Sequence, residues 1–567
     1  MGTIIGIDLG TTNSLAAVFL DGEARLIANA HGSYLTPSVV SLAENGDVLV
    51  GEAARHRMIT AADQSAAFFK RYMGTPNDLR LGGRVFRPEE LSSLVLRSLK
   101  QDAEAELGEP ISDAVITVPA YFRDAQRKAT RRAAQLAGLN VVRLINEPTA
   151  AALAYGVQEA EQDQQLLIFD LGGGTFDVSV LHFFEGIMEV RSSAGDSRLG
   201  GEDFVDAIIR QIAREAQFNF DVLPVVERNR IRKVVEIAKR RLSEEQHVAI
   251  EIEAGGRAIQ RDLSREEFRS ICAPLLERMQ TPIERALRDA RILTKELDEL
   301  ILVGGATRMP LVRELVAKLF GRFPSHHVPP DEAVALGAAV QAGLKVKAAA
   351  LRERVLTDVA PFSLGIEVVE IFDSKRMHSG LFKPMLERNT IIPASRSDIF
   401  CTVGDNQTEI HVKIYQGESR YVKDNVLLGN LEVHVPSAAA GQEQIEVRFT
   451  YDVDGLLEVE AKPLGGGALR RAVFHESNEE MDEKEMKRRL DALSALKIHP
   501  REQAQNTVVL ERARRMYEES LGVTREEIGH LMLLLEQALA TQNPAVIEQT
   551  RAQVGQRLGE LDQENFW

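Results

Sequence analysis

The sequence predicts a multidomain protein in which an α/β domain is followed by a β-sandwich and then by a short α-helical region. Strand and helix signals alternate from the start of the chain to about residue 350, which is typical of α/β domains. From Ala360 to Glu476 the signals change to strands with a period of two. Residues 478–567 are charged and amphipathic with helical spacing. A chain of 567 residues is also too long for one core.

The α/β region is organised around a motif that occurs twice, at residues 5–13 and 168–177. In each copy an apolar run that reads as a buried strand ends in an Asp, small residues turn the chain, and a second apolar run follows. A Rossmann fingerprint is excluded because the G-x-G-x-x-G spacing is missing, and a P-loop is excluded because no Gly-Lys-Ser/Thr follows the turn. One such hairpin alone is compatible with a plain tight turn. Two copies predict two halves that face one ligand.

The residues of the two turns favour a metal–nucleotide ligand. Turns of Gly, Thr and Ser let backbone N–H groups point into one concavity, where an anion fits. Asp8 and Asp170 precede the turns, and bare phosphate would repel them. They are useful there only if a hard cation such as Mg²⁺ lies between carboxylate and phosphate.

The elements between and after the two motifs follow from local signals. Residues 114–119 read as a buried strand, residues 124–137 as a helix stopped by Gly138, and residues 139–145 as the next strand. Asn146 and Pro148 predict a helix that ends at Gly156 and places Glu147 where the strand gives way to the helix, on the rim where α/β folds bind ligands. Glu147 also has a plain interpretation as a favourable charge at a helix start, and Lys70 as a solvated surface cation.

The C-terminal elements are predicted in the same way. Thr408–Tyr415 alternates as a strand, and residues 445–451 pair with residues 457–461 across a turn. Residues 370–380 look like a loop with a few extra residues. Thr524 and Glu527 form a capping box before an apolar run, and Asn543–Pro544 begins the last helix.

Composition excludes several classes of protein. The net charge of −16 argues against a nucleic-acid partner and an anionic membrane surface, since both attract basic faces. We find no secretory signal at the N-terminus and no apolar run that approaches the ~20 residues of a membrane span. The two cysteines, Cys272 and Cys401, suit a reducing compartment. We therefore expect a cytoplasmic protein.

Taken together, the motifs resemble the actin-like ATPase domain of the seventy-kilodalton heat-shock proteins, the DnaK-type chaperones. The resemblance covers nearly the whole chain, with the motifs in family order, and the shortened form is most similar to the HscC branch. The motifs are residues 5–13, Lys70, residues 145–156, 168–177, 199–204, 303–310 and 331–339.

The resemblance implies a nucleotide site built from named residues. Asp8, Asp170 and Asp177 would organise Mg²⁺, largely through water, with room for K⁺ as a second cation. Lys70, Glu147, Thr175, Asp8 and Asp170 would be catalytic. Lys70 would neutralise the γ-phosphate and place the attacking water, and Glu147 and Thr175 would complete that placement. Glu236, Lys239 and Ser243 match the adenosine-binding helix, and their spacing puts them on one face. The remaining contacts to ATP or ADP would be Gly10, Thr11, Thr12, Asn13, Gly172, Gly173, Gly174, Gly200, Gly201, Glu202, Gly304, Gly305, Arg308 and Asp331.

The resemblance also implies the domain plan and a peptide cleft. The ATPase domain would span residues 1–350, the linker 351–358, the β-sandwich substrate-binding domain 359–477 and the α-helical lid 478–567. A plain interpretation of the cleft residues is that half of them only fill the sandwich core. They are Ile366, Val368, Val369, Phe400, Val403, Ile410 and Val412.

The function implied is that of an ATP-dependent chaperone. ATP binding and slow hydrolysis would control its affinity for exposed apolar segments of unfolded or client polypeptides, with a J-domain co-chaperone and a nucleotide-exchange factor as further partners. Two alternatives remain open: a regulatory peptide-binding ATPase for one client, and a metabolite kinase on the same actin-like fold. The kinase hypothesis gives no role to the predicted β-sandwich and helical lid.

Overall fold

The structure is a computed structural model of the chain. It describes residues 2–42, 48–156, 163–184, 187–324, 328–346, 355–373, 376–452, 457–474, 520, 522–541 and 543–564, together with residues 509, 513, 516 and 517. Parts of the predicted linker (351–354) and lid (478–508) lie outside the described residues.

The secondary structure alternates strands and helices in about the first 345 residues, consists mainly of strands from residue 355 to residue 474, and is helical over the residues described from 522 to 564. In chain order the strands are β1 (Ile4–Asp8), β2 (Asn13–Leu20), β3 (Glu23–Ile27), β4 (Thr36–Pro37), β5 (Val39–Leu42), β6 (Val48–Val50), β7 (Ser65–Ala67), β8 (Leu79–Leu81), β9 (Arg84–Phe86), β10 (Asp113–Val118), β11 (Asn140–Asn146), β12 (Gln164–Leu171), β13 (Phe176–Phe184), β14 (Ile187–Asp196), β15 (His247–Ala254), β16 (Arg257–Ser264), β17 (Glu299–Val303), β18 (Val355–Val359), β19 (Leu364–Asp373), β20 (Arg376–Leu386), β21 (Ile391–Ile392), β22 (Ala394–Cys401), β23 (Glu409–Gln416), β24 (Val426–His434), β25 (Gln444–Tyr451), β26 (Leu457–Pro463) and β27 (Arg470–Phe474).

The helices lie mainly in the α/β part and at the C-terminus. Over the residues described they are α1 (Glu52–Thr60), α2 (Pro88–Leu107), α3 (Asp124–Leu136), α4 (Glu147–Gly156), α5 (Gly201–Glu215), α6 (Val225–Arg241), α7 (Arg265–Ala290), α8 (Pro310–Phe320), α9 (Ala333–Lys345), α10 (Gly522–Ala540) and α11 (Pro544–Glu564). None of these helices combines the length and the apolar character needed to cross a membrane.

The chain forms two compact units. The first comprises residues 1–363 and 387–392, and the second comprises residues 364–386 together with the described residues from 393 onward. The first unit therefore includes β18 and β21 in addition to the α/β elements that precede them.

Two sheets of the first unit repeat one arrangement. In the first sheet β1 pairs parallel with β10 and antiparallel with β2; in the second sheet β12 pairs parallel with β17 and antiparallel with β13. The two sequence motifs are the β1–β2 and β12–β13 hairpins. The prediction of strand, turn and strand is therefore confirmed for both copies. Because the hairpins occupy equivalent places in their sheets, each turn lies at the same end of its sheet.

Part of the predicted linker is a strand of the first unit. β18 pairs parallel with β14, through Met188 and Leu356, and antiparallel with β21, through Asp358 and Ile392. The side chain of Asp358 is 5% exposed and accepts hydrogen bonds from Asn146 Nδ2 at 3.1 and 3.2 Å. Burial raises the pKa of this carboxyl, and Arg143 opposes the rise.

Helix α9 packs closely on its neighbours because small residues face them. A Cβ atom at Gly337 would lie 1.6 Å from the backbone oxygen of Ala150 in α4, and one at Gly6 in β1 would lie 2.2 Å from the amide nitrogen of Ala339. These contacts between backbones fix α4 and β1 on the same helix, and α4 begins at Glu147.

The second unit contains two four-stranded antiparallel sheets, with the orders β20-β19-β23-β24 and β22-β25-β26-β27. Their buried side chains alternate along the strands, as Val447, Phe449 and Val459 do, and the predicted pairing of residues 445–451 with 457–461 is confirmed. Residues 370–380 do not form the predicted loop: β19 continues to Asp373 and β20 begins at Arg376.

Helices α10 and α11 pack through buried aliphatic side chains, among them Leu535, Leu539 and Leu558. The start of α11 is as predicted, because Asn543 Oδ1 accepts the backbone N–H of Ala545 at 3.1 Å. The prediction of a capping box at Thr524 and Glu527 was wrong. Helix α10 already begins at Gly522, so Thr524 lies within its first turn, and Glu527 pairs instead with Arg557 Nε at 2.7 Å.

Candidate active site

A cleft of about 400 Å³ in the first unit is lined by both repeated turns. Most of the residues predicted for the nucleotide come together there. These are Asp8, Gly10, Thr11, Thr12, Asn13, Lys70, Glu147, Asp170, Gly172, Gly173, Thr175, Gly201, Glu202, Glu236, Lys239, Ser243, Gly304, Gly305, Arg308 and Asp331.

The two turns lie against each other with almost no space for side chains. A Cβ atom at Gly173 would be 1.9 Å from Thr12 Oγ1, and one at Gly174 would be 2.7 Å from Thr11 Oγ1. Gly10 likewise has no room for a Cβ, which would meet the backbone oxygen of Asn13 at 2.0 Å. Glycine is required because only a bare backbone permits this approach, and it leaves N–H groups available to an anion.

Three predicted residues lie behind the cleft rather than on its surface: Gly174, Gly200 and Asp177. A Cβ at Gly200 would be 2.4 Å from the amide nitrogen of Gly174, so this residue packs against the second turn. The first residue of α5, Gly201, donates its N–H to the backbone oxygen of Gly172 at 2.9 Å. Residues 199–204 therefore support the turn from behind.

Lys70 and Glu147 form a buried ion pair, with Lys70 Nζ 2.6 Å from Glu147 Oε1. They are 4% and 7% exposed. Lys70 lies on a short 3₁₀ helix, Phe69–Tyr72. Glu147 is the first residue of α4 and directly follows β11. The interpretation of Lys70 as a solvated surface cation was wrong. A cation held in a low-dielectric pocket acts strongly on a nearby anion.

Three carboxyl groups lie close to this pair: Asp170 and Asp177 are buried, and Asp8 is partly exposed. Burial raises the pKa of Asp8 to about 7, and the negative charge of Glu147 adds to the rise. Burial and Glu147 also raise the pKa of Asp177 to about 8 and hold that of Asp170 well above its usual range. Each group therefore resists ionisation in the protein alone, because the local positive charge does not balance the acids.

The same carboxyl groups suit a hard cation. Oδ2 of Asp170 is buried and has no hydrogen-bond partner in the described part of the protein, although β12 fixes its position opposite Asp177. Asp8 accepts one hydrogen bond, from Thr117 Oγ1 at 3.0 Å, which leaves further lone pairs. Carboxylate oxygens directed into one polar space are the donors that Mg²⁺ takes, directly or through water.

Further parts of the cleft lining come from α6 and from the segment after β17. Lys239 Nζ lies 2.6 Å from Glu236 Oε2 and donates to the backbone oxygen of Gly201 at 3.0 Å. Arg308 Nε and one terminal nitrogen donate to Asp331 Oδ2 at 3.0 and 2.7 Å. Both clusters of polar groups line the same cleft as Lys70 and Glu147.

The model of the family described as "Hsp70 protein" matches residues 4–81 and 76–566. The chain belongs to the Hsp70 family. It is 43% identical to Chaperone protein DnaK of Thermotoga neapolitana over 502 residues, which cover 86% of this chain and 83% of the relative. The proteins of the same name from Thermotoga petrophila and Thermotoga maritima show the same identity and coverage. The finer similarity to the HscC branch stays a prediction.

Membership in the Hsp70 family carries the general activity with it. The chain is an Hsp70-type ATP-dependent chaperone and an ATPase. The first and second units, with the paired helices α10 and α11, correspond to the α/β, sheet and helical parts expected from the sequence.

Sequence reasoning missed two residues that hold this Hsp70 site together. Thr117, at the end of β10, donates to Asp8. Arg71 donates to the backbone oxygen of Gly174 at 3.2 Å and also pairs with Asp203 of α5. The position of Thr117 in a strand parallel to β1 was a signal for the first. Arg71 follows Lys70 directly, but its sequence context is that of a surface arginine.

The residues predicted for the peptide cleft lie on β19, β22 and β23 of the second unit or directly after β22. Ile366 and Val412 are each 3% exposed and belong to the sandwich interior. The other five are partly exposed: Val368, Val369, Phe400, Val403 and Ile410.

Proposed function

We propose that this Hsp70 chain binds ATP with Mg²⁺ in the cleft of the first unit and uses its hydrolysis to control the capture of apolar polypeptide segments by the second unit. The observation that carries the proposal is the buried Lys70–Glu147 pair beside three carboxyl groups and two glycine turns. A plain tight turn does not need a buried cation of this kind, whereas transfer of a phosphoryl group does.

The phosphates would be held by the backbone N–H groups of the turns at residues 10–13 and 172–175, which present donors without side-chain bulk. Asp8 and Asp170 would hold Mg²⁺, largely through water, with Asp177 contributing its charge from behind the cleft, and a bound Mg²⁺ supplies positive charge against the phosphate oxygens. The adenosine would lie against Glu236, Lys239 and Ser243 on one side and Gly305 and Arg308 on the other.

Lys70 would direct its ammonium group at the transferred phosphoryl group, and Glu147 would keep that group in one position by its 2.6 Å contact. With Thr175, Glu147 would also accept hydrogen bonds from the attacking water. Catalysis of phosphoryl transfer is mostly positioning and electrostatic stabilisation, so a rigid buried pair is suited to it.

The variant Lys70→Ala tests this assignment. We expect hydrolysis in a single turnover to slow by about 10²–10³-fold, because one preorganised charged donor is removed. ATP binding, measured by equilibrium titration, should remain, because the turns and the adenosine side are unchanged. Lys318→Ala, an exposed lysine of α8, is the matched control. Hydrolysis by Lys70→Ala at the parent rate would remove the role proposed for Lys70.

The proposed partners are unfolded or client polypeptides, a J-domain co-chaperone and a nucleotide-exchange factor. We further propose a cytoplasmic location, supported by two free cysteines, of which Cys272 is buried and Cys401 is exposed. Phosphate release measured with apolar peptide and with individual J-domain proteins tests these partners.

A further inference from the structure

Four side chains that suit a metal lie on one face of the strand pair β23–β24. Glu409 faces His434 across the pair, and His411 faces Glu432. Residues two apart on a strand point to the same side, so all four share one face. The residues that alternate with them point to the other side, where Val412 and Val433 are buried in the sandwich and Ile410 is partly exposed. The four residues form an alternating pattern of two imidazoles and two carboxylates, named here the His–Glu cluster.

The distances within the His–Glu cluster are those of groups that face one another without bonding. His411 Nε2 is 3.9 Å from Glu409 Oε2, His411 Nδ1 is 3.9 Å from Glu432 Oε1, and His434 Nδ1 is 3.9 Å from Glu409 Oε1. One ligand atom from each of Glu409, His411 and Glu432 lies within 4.8 Å of the other two. A hydrogen bond between such groups would be about 2.7–3.2 Å long.

This spacing is close to that of ligands around one ion. Zinc binds imidazole nitrogen and carboxylate oxygen at about 2.0–2.2 Å in a tetrahedron, which places neighbouring ligand atoms roughly 3.3–3.6 Å apart. The side chains of His411, Glu432 and His434 are 51%, 61% and 67% exposed, so small rotations can close the remaining distance. The nearest lysine along the strand, Lys413, is held by Glu367 Oε2 at 2.9 Å.

The geometry points to a binding site for a borderline divalent transition metal of the Zn²⁺ class, with Glu409, His411, Glu432 and His434 as its ligands. Mixed imidazole and carboxylate donors favour such ions over Mg²⁺ and Ca²⁺, which prefer oxygen alone. The ion would join β23 to β24 on the outer face. It would therefore stabilise the strand whose inner face carries Ile410 and Val412, by mass action on the folded state.

The test uses the full chain, with any affinity tag removed and metals stripped by a chelator, titrated calorimetrically with Zn²⁺. Excess Mg²⁺ is present so that the carboxyl groups of the first unit are engaged. We expect one equivalent of Zn²⁺ to bind, and we expect affinity at least about 10-fold weaker in the double variant His411→Asn, His434→Asn. His247→Asn, an exposed histidine at the start of β15, is the matched control and should bind as the parent does.

A spectroscopic readout separates coordination from general attraction to acidic groups. Co²⁺ placed in the site should give visible d–d absorption in the parent and in His247→Asn but not in the double variant. Circular dichroism and thermal unfolding show whether the double variant is folded. Equal Zn²⁺ affinity in parent and folded double variant, or no Co²⁺ absorption in the parent, would show that the His–Glu cluster makes surface charge contacts only and would overturn the proposal.

Discussion

At the scale of single residues, the site concentrates negative charge on buried and partly buried side chains. Asp8, Asp170, Asp177 and Glu147 share the positive charge of Lys70, and burial is the largest cause of each raised pKa among the three aspartates. A buried carboxylate without a counter-charge costs free energy. The proposed Mg²⁺ would therefore relieve an electrostatic cost, and that cost depends on pH.

This argument predicts that Asp8→Asn stabilises the protein when Mg²⁺ and nucleotide are absent. The pKa of Asp8 in the folded protein is raised from 3.8 to about 7, so the folded state holds this proton more tightly than the unfolded state. The stability that the proton provides is complete below pH 4 and is lost as pH rises toward 7. The advantage of Asp8→Asn should therefore grow between pH 4 and 7 to the order of a few kcal/mol and then stay level.

Unfolding in urea at pH 5 and pH 8, with a chelator present, measures the effect. Asp262→Asn, an exposed aspartate of β16, is the control and should show no such trend. The variant should also lose ATP hydrolysis, so stability and activity move in opposite directions. An Asp8→Asn advantage that is the same at both pH values would contradict the assigned cause.

A site residue could be predicted from the sequence when the residues next to it in the chain determine its position. The turns, their leading aspartates and Glu147 could be found because strand, turn and helix signals locate them at strand ends. Thr117 and Arg71 were missed because their partners are 109 and 103 residues away, and the strand signal at Thr117 does not by itself identify Asp8 as its partner. Asp177 was found through the family resemblance, and its place behind the cleft became evident only from the pairing of β12 with β13.

At the scale of elements, the close packing of α9 explains how Glu147 is held in position. Gly337 brings α9 against the backbone of α4, whose first residue is Glu147, and Ala339 brings it against β1, which ends at Asp8. One helix of small residues thus fixes two elements of the site. Bulk added at the contact must displace backbone, which packed interiors do not accommodate.

We predict that Gly337→Ala destabilises the first unit by about 1–3 kcal/mol, although alanine is the better helix former, because its Cβ would lie 1.6 Å from the oxygen of Ala150. Gly555→Ala in α11 is the matched control, since no atom lies within 4 Å of the added Cβ there. The control should be unchanged or more stable by up to about 1 kcal/mol. Chemical denaturation of both variants is the measurement, and a Gly337→Ala protein as stable as the control would disprove the packing argument.

The elements that the sequence predicted well have strong local patterns, such as β10, the β25–β26 pairing and the start of α11. The wrong or missing predictions concern segments whose structure is decided by more than the local residue pattern. Thr524 has the residue spacing of a capping box, but α10 begins earlier, at Gly522. Residues 355–359 have too few alternating apolar and polar positions to predict a strand from the sequence. They form β18 because they pair with the edge of β14.

At the scale of the whole molecule, the order of the motifs made the family recognisable before any contact was known. The α/β, sheet and helical parts follow one another as the composition changes along the chain. The resemblance could not show which of the predicted cleft residues are accessible. Ile366 and Val412 are buried in the sandwich, whereas Ile410 is partly exposed, so Ile410 is the better probe of peptide binding.

We predict that Ile410→Ser removes the stimulation of ATP hydrolysis by an apolar peptide and leaves the basal rate unchanged. A partly exposed aliphatic side chain contributes up to about 1.5–3 kcal/mol when a ligand covers it, so peptide affinity should fall by roughly 10-fold or more. Lys413→Gln is the control on the same strand, because Lys413 points to the opposite face. Phosphate release measured over a range of peptide concentrations reports basal and stimulated turnover together. The proposed ATPase site lies in the first unit and Ile410 lies in the second. Loss of stimulation with an intact basal rate would therefore mean that peptide binding is communicated to that site, whereas unchanged stimulation would place the peptide on other residues.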